Sequence, residues 1–593
     1  MMTRAAGVDP ITKTVIWAAM HSIAEEAGTA LRKTAYSQAV REGRDFSVAL
    51  FDRAGRMIAQ GDFSPGHLGS MPSAVRNAVA YFPPDTLQPG DAILLNDAHM
   101  GSGHLPDFFL TTPIFYRGEL IAFAVNCAHH IDVGGAVPGS QAVEGVHESY
   151  QEGFRVLPVK GFVGGEPVAD IHRIIAANVR VPDVVLGDLR AQRNANRVAE
   201  RRIGELADRY GLDTLRACWE HILDHSEREM RAAIREIPGG VYHAEDYFDD
   251  CGRDTGPIKL CVTITVDGDD ATIDYGGTDP QTRSGINATM NYTLAYSYFT
   301  MKCVTLQNRL PHNEGCLRPI RVFAPPGSVL NAQPPCASGA RAIMQQRIVD
   351  LLLQAFAQAL PDRVIAPSAH WANPIFGGQS PRTGRRFIYY EIIVGGSGAR
   401  PHKDGAEAMC TSFNLENIPC EVSEAHFPVL IEQLAFVPDS GGAGRFRGGC
   451  ALRKDVRMLG EDQRLTNLAE RQRFQPPGLF GGRPGALGRT LRSPGTPGEE
   501  VLHSKGHYDI ATADVVSFQT SGTGGYGDPL VRDPAAVQRD VVCGYVSLEA
   551  AQREYGVVLD PQTLAVDEAA TARRRAELRA AGGEGTPPRC PLV

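Results

Sequence analysis

At 593 residues the chain is longer than one hydrophobic core usually serves, and at roughly 150 residues per domain it has room for about four units. Apolar residues make up 43% and charged residues 21%, ordinary globular usage, so most of the chain can bury a core. The net charge of −9 comes without a basic patch, which excludes nucleic acid as the expected partner.

In chain order, residues 1–8 show no apolar stretch behind a basic start, so no secretory signal is expected. No apolar run approaches the roughly 20 residues of a membrane helix, which leaves no membrane contact and a cytoplasmic location as the expectation. Asp9 and Pro10 form an N-cap and first-turn pair predicting a helix through Lys33. Ile11, Val15, Ile23 and Leu31 recur at multiples of four, and that spacing predicts one buried face. Residues 46–51 (FSVALF) read as a buried strand ending in the turn 52–55, and residues 93–95 and 120–127 (LIAFAVNC) as two more. Loops rich in Gly, His and Asp occupy 96–107 and 128–135, the kind of segment on which catalytic groups commonly sit.

Helical patterning runs from Pro182 to Ile237 with a break near Gly211. Alternating residues 258–266 and 271–275 flank Asp267-Gly268 and give the strongest hairpin signal of the chain. Residues 343–360 predict a helix stopped by Pro361, and 414–523 a β-rich stretch punctuated by Gly and Pro. The 63 glycines and 40 prolines concentrate after residue 390, which predicts many tight turns. Small helices are expected over 533–555. The expected fold class is α+β and multidomain: a mixed α/β N-terminal domain with a metal site (1–180), a helical segment (181–240), an α/β middle domain (241–413), a β-rich Gly/Pro-rich domain (414–530), a C-terminal helical segment (531–579) and a disordered tail (580–593).

Twelve cysteines include no Cys-x-x-Cys pair, which removes zinc ribbons and thioredoxin-like sites, and they are too dilute for a disulfide scaffold. Gly522 to Gly527 match G-x-G-x-x-G by letter, but Asp528-Pro529 follows where a dinucleotide site needs a helix, so this is read as a turn. With no Walker lysine loop and no G-x-S-x-G elbow, nothing argues for an ATP site or a serine nucleophile in this chain. The informative cluster is His104-Leu105-Pro106-Asp107 followed by Ala128-His129-His130-Ile131-Asp132-Val133-Gly134-Gly135. Imidazole with carboxylate suits Zn²⁺, Mn²⁺ or Fe²⁺, and each group follows a strand-like stretch, so adjacent strands could join the two loops. Equally, His and Asp in Gly-rich loops can do no more than hold turns.

The cluster, together with Arg44-Asp45-Phe46-Ser47, His67-Leu68-Gly69-Ser70-Met71, Asn96-Asp97, Gln151-Glu152-Gly153, Gly396-Ser397-Gly398-Ala399-Arg400, Asp439-Ser440-Gly441-Gly442, Arg447-Gly448-Gly449 and Gly524-Gly525-Tyr526-Gly527-Asp528-Pro529-Leu530, resembles the hydantoinase B/oxoprolinase family from about Asp9 to about Leu559. The resemblance implies one divalent metal held by His104, Asp107 and His129 with Asp45 as a fourth ligand. It also implies Asp97, His130 and Asp132 as acid/base or supporting groups. A partner is implied too: a hydantoinase A-type ATPase subunit of actin-like fold that uses ATP and Mg²⁺ to phosphorylate a small cyclic amide or ketone. The expected function is then the metal-dependent subunit of an ATP-dependent cyclic amide hydrolase. The alternatives are an ATP-dependent ketone carboxylase subunit, with the same ligands, and a non-catalytic scaffold.

Overall fold

The structure is a computed structural model that describes residues 8–307 and 309–581. Its first helix, α1 (Pro10–Thr34), is capped by the Asp9 carboxylate, which accepts from the Thr12 N–H at 3.0 Å. The buried stripe is Ile16, Met20, Ile23, Ala27 and Leu31, while Ile11 and Val15 are exposed. A strict spacing of four advances about 40° per step around a 3.6-residue helix, so over twenty residues it crosses to the opposite face. The expected face was therefore right at Ile23 and Leu31 and wrong at Ile11 and Val15.

After α2 (Gln38–Arg41) the chain builds a sheet from β1 (Phe46–Asp52), β2 (Met57–Gln60), β3 (Ala92–Leu95), β4 (Asp107–Tyr116), β5 (Glu119–His129), β6 (Val159–Val163) and β7 (Glu166–Pro167), with α3 (Pro65–Tyr81) inserted between β2 and β3. The order is β2-β1-β5-β4-β3-β6-β7 with antiparallel pairing throughout. Central strand β4 was not anticipated. Pro113 in its middle reads as a strand breaker, and the ladder absorbs it with a register shift between Ile114 and Phe115.

Helices cover both faces. After α4 (Ala169–Asn178) come α5 (Pro182–Tyr210) and α6 (Leu212–Arg235), separated at Gly211 with φ +79°. With α1 they enclose Val48, Leu50, Ile114, Ala124, Ile203 and Leu223 on one face. On the other, Leu68, Met71 and Val75 of α3 pack on Phe51, Phe109, Phe123 and Val125. Each such large side chain taken from water stabilises the layer by about 1.5–3 kcal/mol.

A second sheet holds β8 (Gly240–Phe248), β9 (Ile258–Asp267), β10 (Asp270–Asp274) and β11 (Ile320–Phe323) in the order β11-β10-β9-β8. The expected hairpin is β9–β10, turning at Gly268 with φ +62°. Helices α7 (Met290–Val304) and α8 (Gln345–Ala357) pack beside it. α7 joins the first layer at α3: a Cβ on Gly69 would lie 2.4 Å from the Ala295 backbone, so only glycine permits this approach.

Strands resume at Ile375. β12 (Ile375–Gln379), β13 (Arg386–Tyr390), β16 (Glu461–Thr466) and β19 (His507–Ile510) form one sheet. β14 (Val429–Val437), β15 (Ala451–Met458), β17 (Arg489–Arg492), β18 (Glu500–Leu502) and β20 (Val515–Gln519) form another, entered through α9 (Cys420–His426). Phe376 and Tyr389 pack against Val456, Val516 and Phe518 between them. Turns explain only part of the glycine content here. Cβ atoms on Gly398 and Gly522 would lie 1.7 Å from the carbonyl oxygens of Ala366 and Ser440, so the loops of this region stack backbone on backbone. Helices α10 (Pro534–Val542), α11 (Leu548–Glu554) and α12 (Glu568–Ala581) end the description. The expected tail thus begins inside α12 at 580–581, and 582–593 lie outside the described residues. No helix among the described residues is long and apolar enough to cross a membrane, and their cysteines are free thiols.

Candidate metal centre

Three neighbouring strands end at one edge of the first sheet. Asp107 opens β4 and pairs across the ladder with His129, which closes β5, while Phe46 of β1 pairs with Ala128. Asp45, Asp107 and His129 are therefore side by side because of register alone. His104 joins them from the preceding turn, whose Leu105 carbonyl accepts from the Asn96 amide at 2.7 Å. Arg44, the residue before Asp45, has φ +58°, a left-handed conformation braced by Asn414 donating to its carbonyl and by Glu416 at 3.0 Å from its guanidinium.

The side chains converge. His104 Nε2 is 2.8 Å and His129 Nδ1 3.0 Å from Asp107 Oδ1. Asp45 Oδ2 lies 3.9 Å from His129 Nδ1, and Asp45 Oδ1 3.7 Å from His67 Nε2. All are at most 4% exposed. Asp107 Oδ2 is occupied elsewhere: it accepts from Ser102, from Arg341 at 2.5 Å, and faces His67 Nε2 at 3.2 Å. The Arg341 guanidinium in turn stacks on Tyr292 at 3.9 Å.

Two observations fit a cation. First, His104 Nδ1 meets the Gly339 carbonyl at 2.9 Å, so Nδ1 carries the proton and the Nε2 lone pair points inward. That Nε2, although close to Asp107, is out of hydrogen-bonding line and has no partner, and Asp45 Oδ1 has none either. Orphaned buried lone pairs of this kind are rare unless something else satisfies them. Second, the distances suit one ion with bonds of about 2.0–2.2 Å.

His129 follows the same logic. Its Nε2 faces the Gln141 amide nitrogen at 3.2 Å while Gln141 Oε1 is unpaired. Exchanging the two amide atoms lets Oε1 accept from Nε2–H and frees Nδ1 as a ligand.

The electrostatics agree. Burial lowers His104 to about 4, with Arg341 adding to it, so its imidazole is neutral, the ligating form. Burial works to raise Asp107, but His104, His67 and Arg341 hold it well below the usual carboxylate range. Burial raises Asp45 against the pull of His129 and His67, so this carboxyl lacks the positive charge a metal would supply. Cys127, within reach of His67 and Asp107, is pushed well above its usual range by burial, then by Asp107 and Asp45.

The three residues expected to assist catalysis make their contacts elsewhere. His130 follows His129, and successive side chains on a strand face opposite sides. It contacts Gln192 of α5 at 3.0 Å instead. Asp132 pairs with Arg180 at 2.8 Å. Asp97 caps its own turn, accepting from the His99 and Met100 N–H groups. Conversely, His67, Arg341, Ser102 and Gln141 were not singled out as site residues. His67 stood in the HLGSM motif without an acidic neighbour in sequence, and Arg341 lies 234 residues from Asp107 with no local signal.

Fold and site together define a mixed α/β protein with a buried His–Asp group that could hold a divalent metal at the edge of its first sheet. Residues 9–529 match the sequence model of the Hydantoinase B/oxoprolinase family. The chain belongs to that family. It is 34% identical to the caprolactamase subunit beta of Pseudomonas jessenii over 96% of this chain and 99% of that protein. The crystal structure of the ATP-dependent caprolactamase from Pseudomonas jessenii superposes with TM-score 0.88 at 33% identity, covering 96% of this chain and 100% of that one. A nucleotide-free acetone carboxylase structure gives TM-score 0.89 at 20% identity over 98% of this chain and 84% of that one, a likeness of fold.

Proposed function

We propose that this chain is the metal-carrying subunit of an ATP-dependent cyclic amide hydrolase and acts on a substrate that a separate ATPase subunit has phosphorylated. The observation that carries the reading is the convergence of His104, Asp107, His129 and Asp45 with unpaired lone pairs, in a chain a third identical to a caprolactamase subunit. A divalent metal bound there supplies a Lewis acid and a water of lowered pKa. The residues do the positioning. Gly339 fixes the His104 ring, Gln141 the His129 ring, and Arg341 with Ser102 takes up one Asp107 oxygen so that the other faces the histidines. Tyr390, 5.0 Å from the His129 ring, and Phe413, 6.3 Å from the His67 ring, help keep bulk water out.

Phosphorylating the oxygen of an unstrained amide gives its carbonyl carbon the electrophilicity and driving force that hydrolysis otherwise lacks, which accounts for a division of labour between two subunits. The likeness to acetone carboxylase rests on fold, so ketone carboxylation stays the second outcome of the same assay. The test is metal content of the purified chain beside His104→Ala, followed by reconstitution with the ATPase subunit. About one Zn, Mn or Fe per chain, lost in the variant, is expected, with ATP-dependent ring opening of a lactam or hydantoin. Metal retained in His104→Ala would remove the proposed site. A β-keto acid from a ketone and bicarbonate, with no ring-opened product, would replace the hydrolase reading.

A further inference from the structure

The cluster has a neighbour. Between α3, α7 and residues 411–414 runs an open cleft of about 470 Å³, a size that accommodates a small organic ligand. Leu68, Gly69 and Phe413 line it. The Phe413 ring stands edge-on to the His67 imidazole with centroids 6.3 Å apart, and the same imidazole is 3.2 Å from Asp107. The cleft thus neighbours the candidate metal centre, with the Phe413 ring and the His67 imidazole between it and Asp107.

Its walls are apolar at Phe63, Leu68 and Phe299, and two polar groups stand out. Lys302, in the last turn of α7, has no carboxylate within 4.0 Å of its ammonium among the described residues. His312 is 7% exposed and its Nδ1 has no hydrogen-bond partner. Burial, then Lys302, lowers that imidazole to about 3, so it is a neutral hydrogen-bonding group beside a cation. Asp62, the carboxylate that also lines the cleft, has its side chain 86% exposed and faces His21 at 4.0 Å. An unpaired ammonium and an unsatisfied buried imidazole in an apolar cleft make a place for one anionic group attached to a hydrocarbon ring.

We propose that this cleft receives the ring of the substrate and that Lys302, with His312 beside it, recognises an anionic group carried on that ring. The proposal rests on the reading that the ring is turned over at the neighbouring cluster. Lys302 then acts as a specificity-determining residue, favouring a carboxylated or phosphorylated ring over a neutral one. The anion is either a carboxylate of the substrate itself or the phosphoryl group added to it.

The test uses the full chain loaded with zinc and three probes followed by ligand-observed NMR: 5-oxoproline, the neutral ring 2-pyrrolidinone, and phenyl phosphate. At least one anionic probe should bind about tenfold or more tightly than 2-pyrrolidinone, the size of one charge-assisted hydrogen bond. Lys302→Met should erase that preference while leaving the metal content and the thermal melt unchanged. Preference for 5-oxoproline assigns the group to the substrate, and preference for phenyl phosphate assigns it to the transferred phosphoryl. Equal Kd for all three probes, no binding of either anion, or a preference that survives in Lys302→Met overturns the proposal. His104→Ala should keep the preference, because the anion contacts lie on α7 and at His312. Failure of the metal site and failure of the cleft are thereby read separately.

Discussion

Two of the groups of charged side chains buried among the described residues invite comparison, and one of them closes on itself. Where α8, β8 and the loops around Glu470 and Lys505 meet, Arg347 reaches Glu470 at 2.7 Å and Asp246 at 3.2 Å. Arg471 reaches Asp350 at 2.7 Å, and Lys505 reaches Glu470 at 2.9 Å and Asp250 at 3.3 Å. Asp249 completes the carboxylates, accepting from the Gln472 and Phe474 backbones. None of these five acids has a buried oxygen left without a donor. At the sheet edge, by contrast, Asp45 Oδ1 and His104 Nε2 are buried and unpaired. Burial and charge are common to both groups. What separates these two groups is whether the lone pairs are already spent.

The largest effect should come from opening the closed group. Arg347→Met leaves Glu470 and Asp246 without their shared cation, at a cost of about 3–5 kcal/mol, read as a fall in the denaturant midpoint. Metal content of the folded fraction should not change. A cost under about 1 kcal/mol would mean that the network contributes little to holding the fold.

Acid should find the same group next. Burial works to raise Glu470, but Lys505 and Arg347 hold it down to about 2 against an ordinary 4.5. A depressed carboxylate stabilises the fold above its unfolded value, and that contribution is lost as pH falls from 4.5 toward 2. The shift corresponds to about 3 kcal/mol at most. Glu470→Gln should flatten the stability profile across that window, and an unchanged profile would count against a charged Glu470.

How much of this was legible in the sequence follows from the same contrast. His104, Asp107 and His129 could be read because they stand in short Gly-rich segments at strand ends, and the resemblance assigned them as ligands and added Asp45. His130 and Asp132 stood in the same segment, but facing is decided by strand alternation, and His130 lands against Gln192. Arg341 and the network cations Arg347 and Arg471 carry no local signal, since their carboxylate partners lie 98 to 234 residues away. Strand β4 was hidden by Pro113, whose usual meaning was overridden by its neighbours in the sheet. The glycines after residue 390 were read as turns, whereas Gly398 and Gly522 serve close backbone contact that depends on partners far along the chain.

A smaller effect is expected where the two groups resemble each other. Arg341 is, like Arg347, a fully buried guanidinium on a carboxylate, but its carboxylate is Asp107, one of the proposed metal ligands. Arg341→Lys keeps the charge and loses the planar stacking on Tyr292. Metal affinity, measured by competition with a chelating dye, should fall about 10–100-fold, with the fold intact. Affinity equal to the wild type would show that Ser102 alone is enough to orient Asp107.

The smallest effect belongs to His104→Ala in the metal-free chain. Its imidazole gives one hydrogen bond to Gly339 and leaves Nε2 unsatisfied, so its loss should change stability by no more than about 1 kcal/mol near neutral pH. Below that the sign reverses. His104 is lowered to about 4 from 6.5, so the unfolded chain takes up its proton first and the wild type loses stability as pH falls through that window. The alanine variant has no such proton to take up. Its melting temperature should draw level with the wild type and then exceed it between pH 6.5 and 4, both measured with a chelator present. A variant that instead unfolds at neutral pH would place His104 among the groups that hold the fold, and the open cluster would be no different in kind from the closed one.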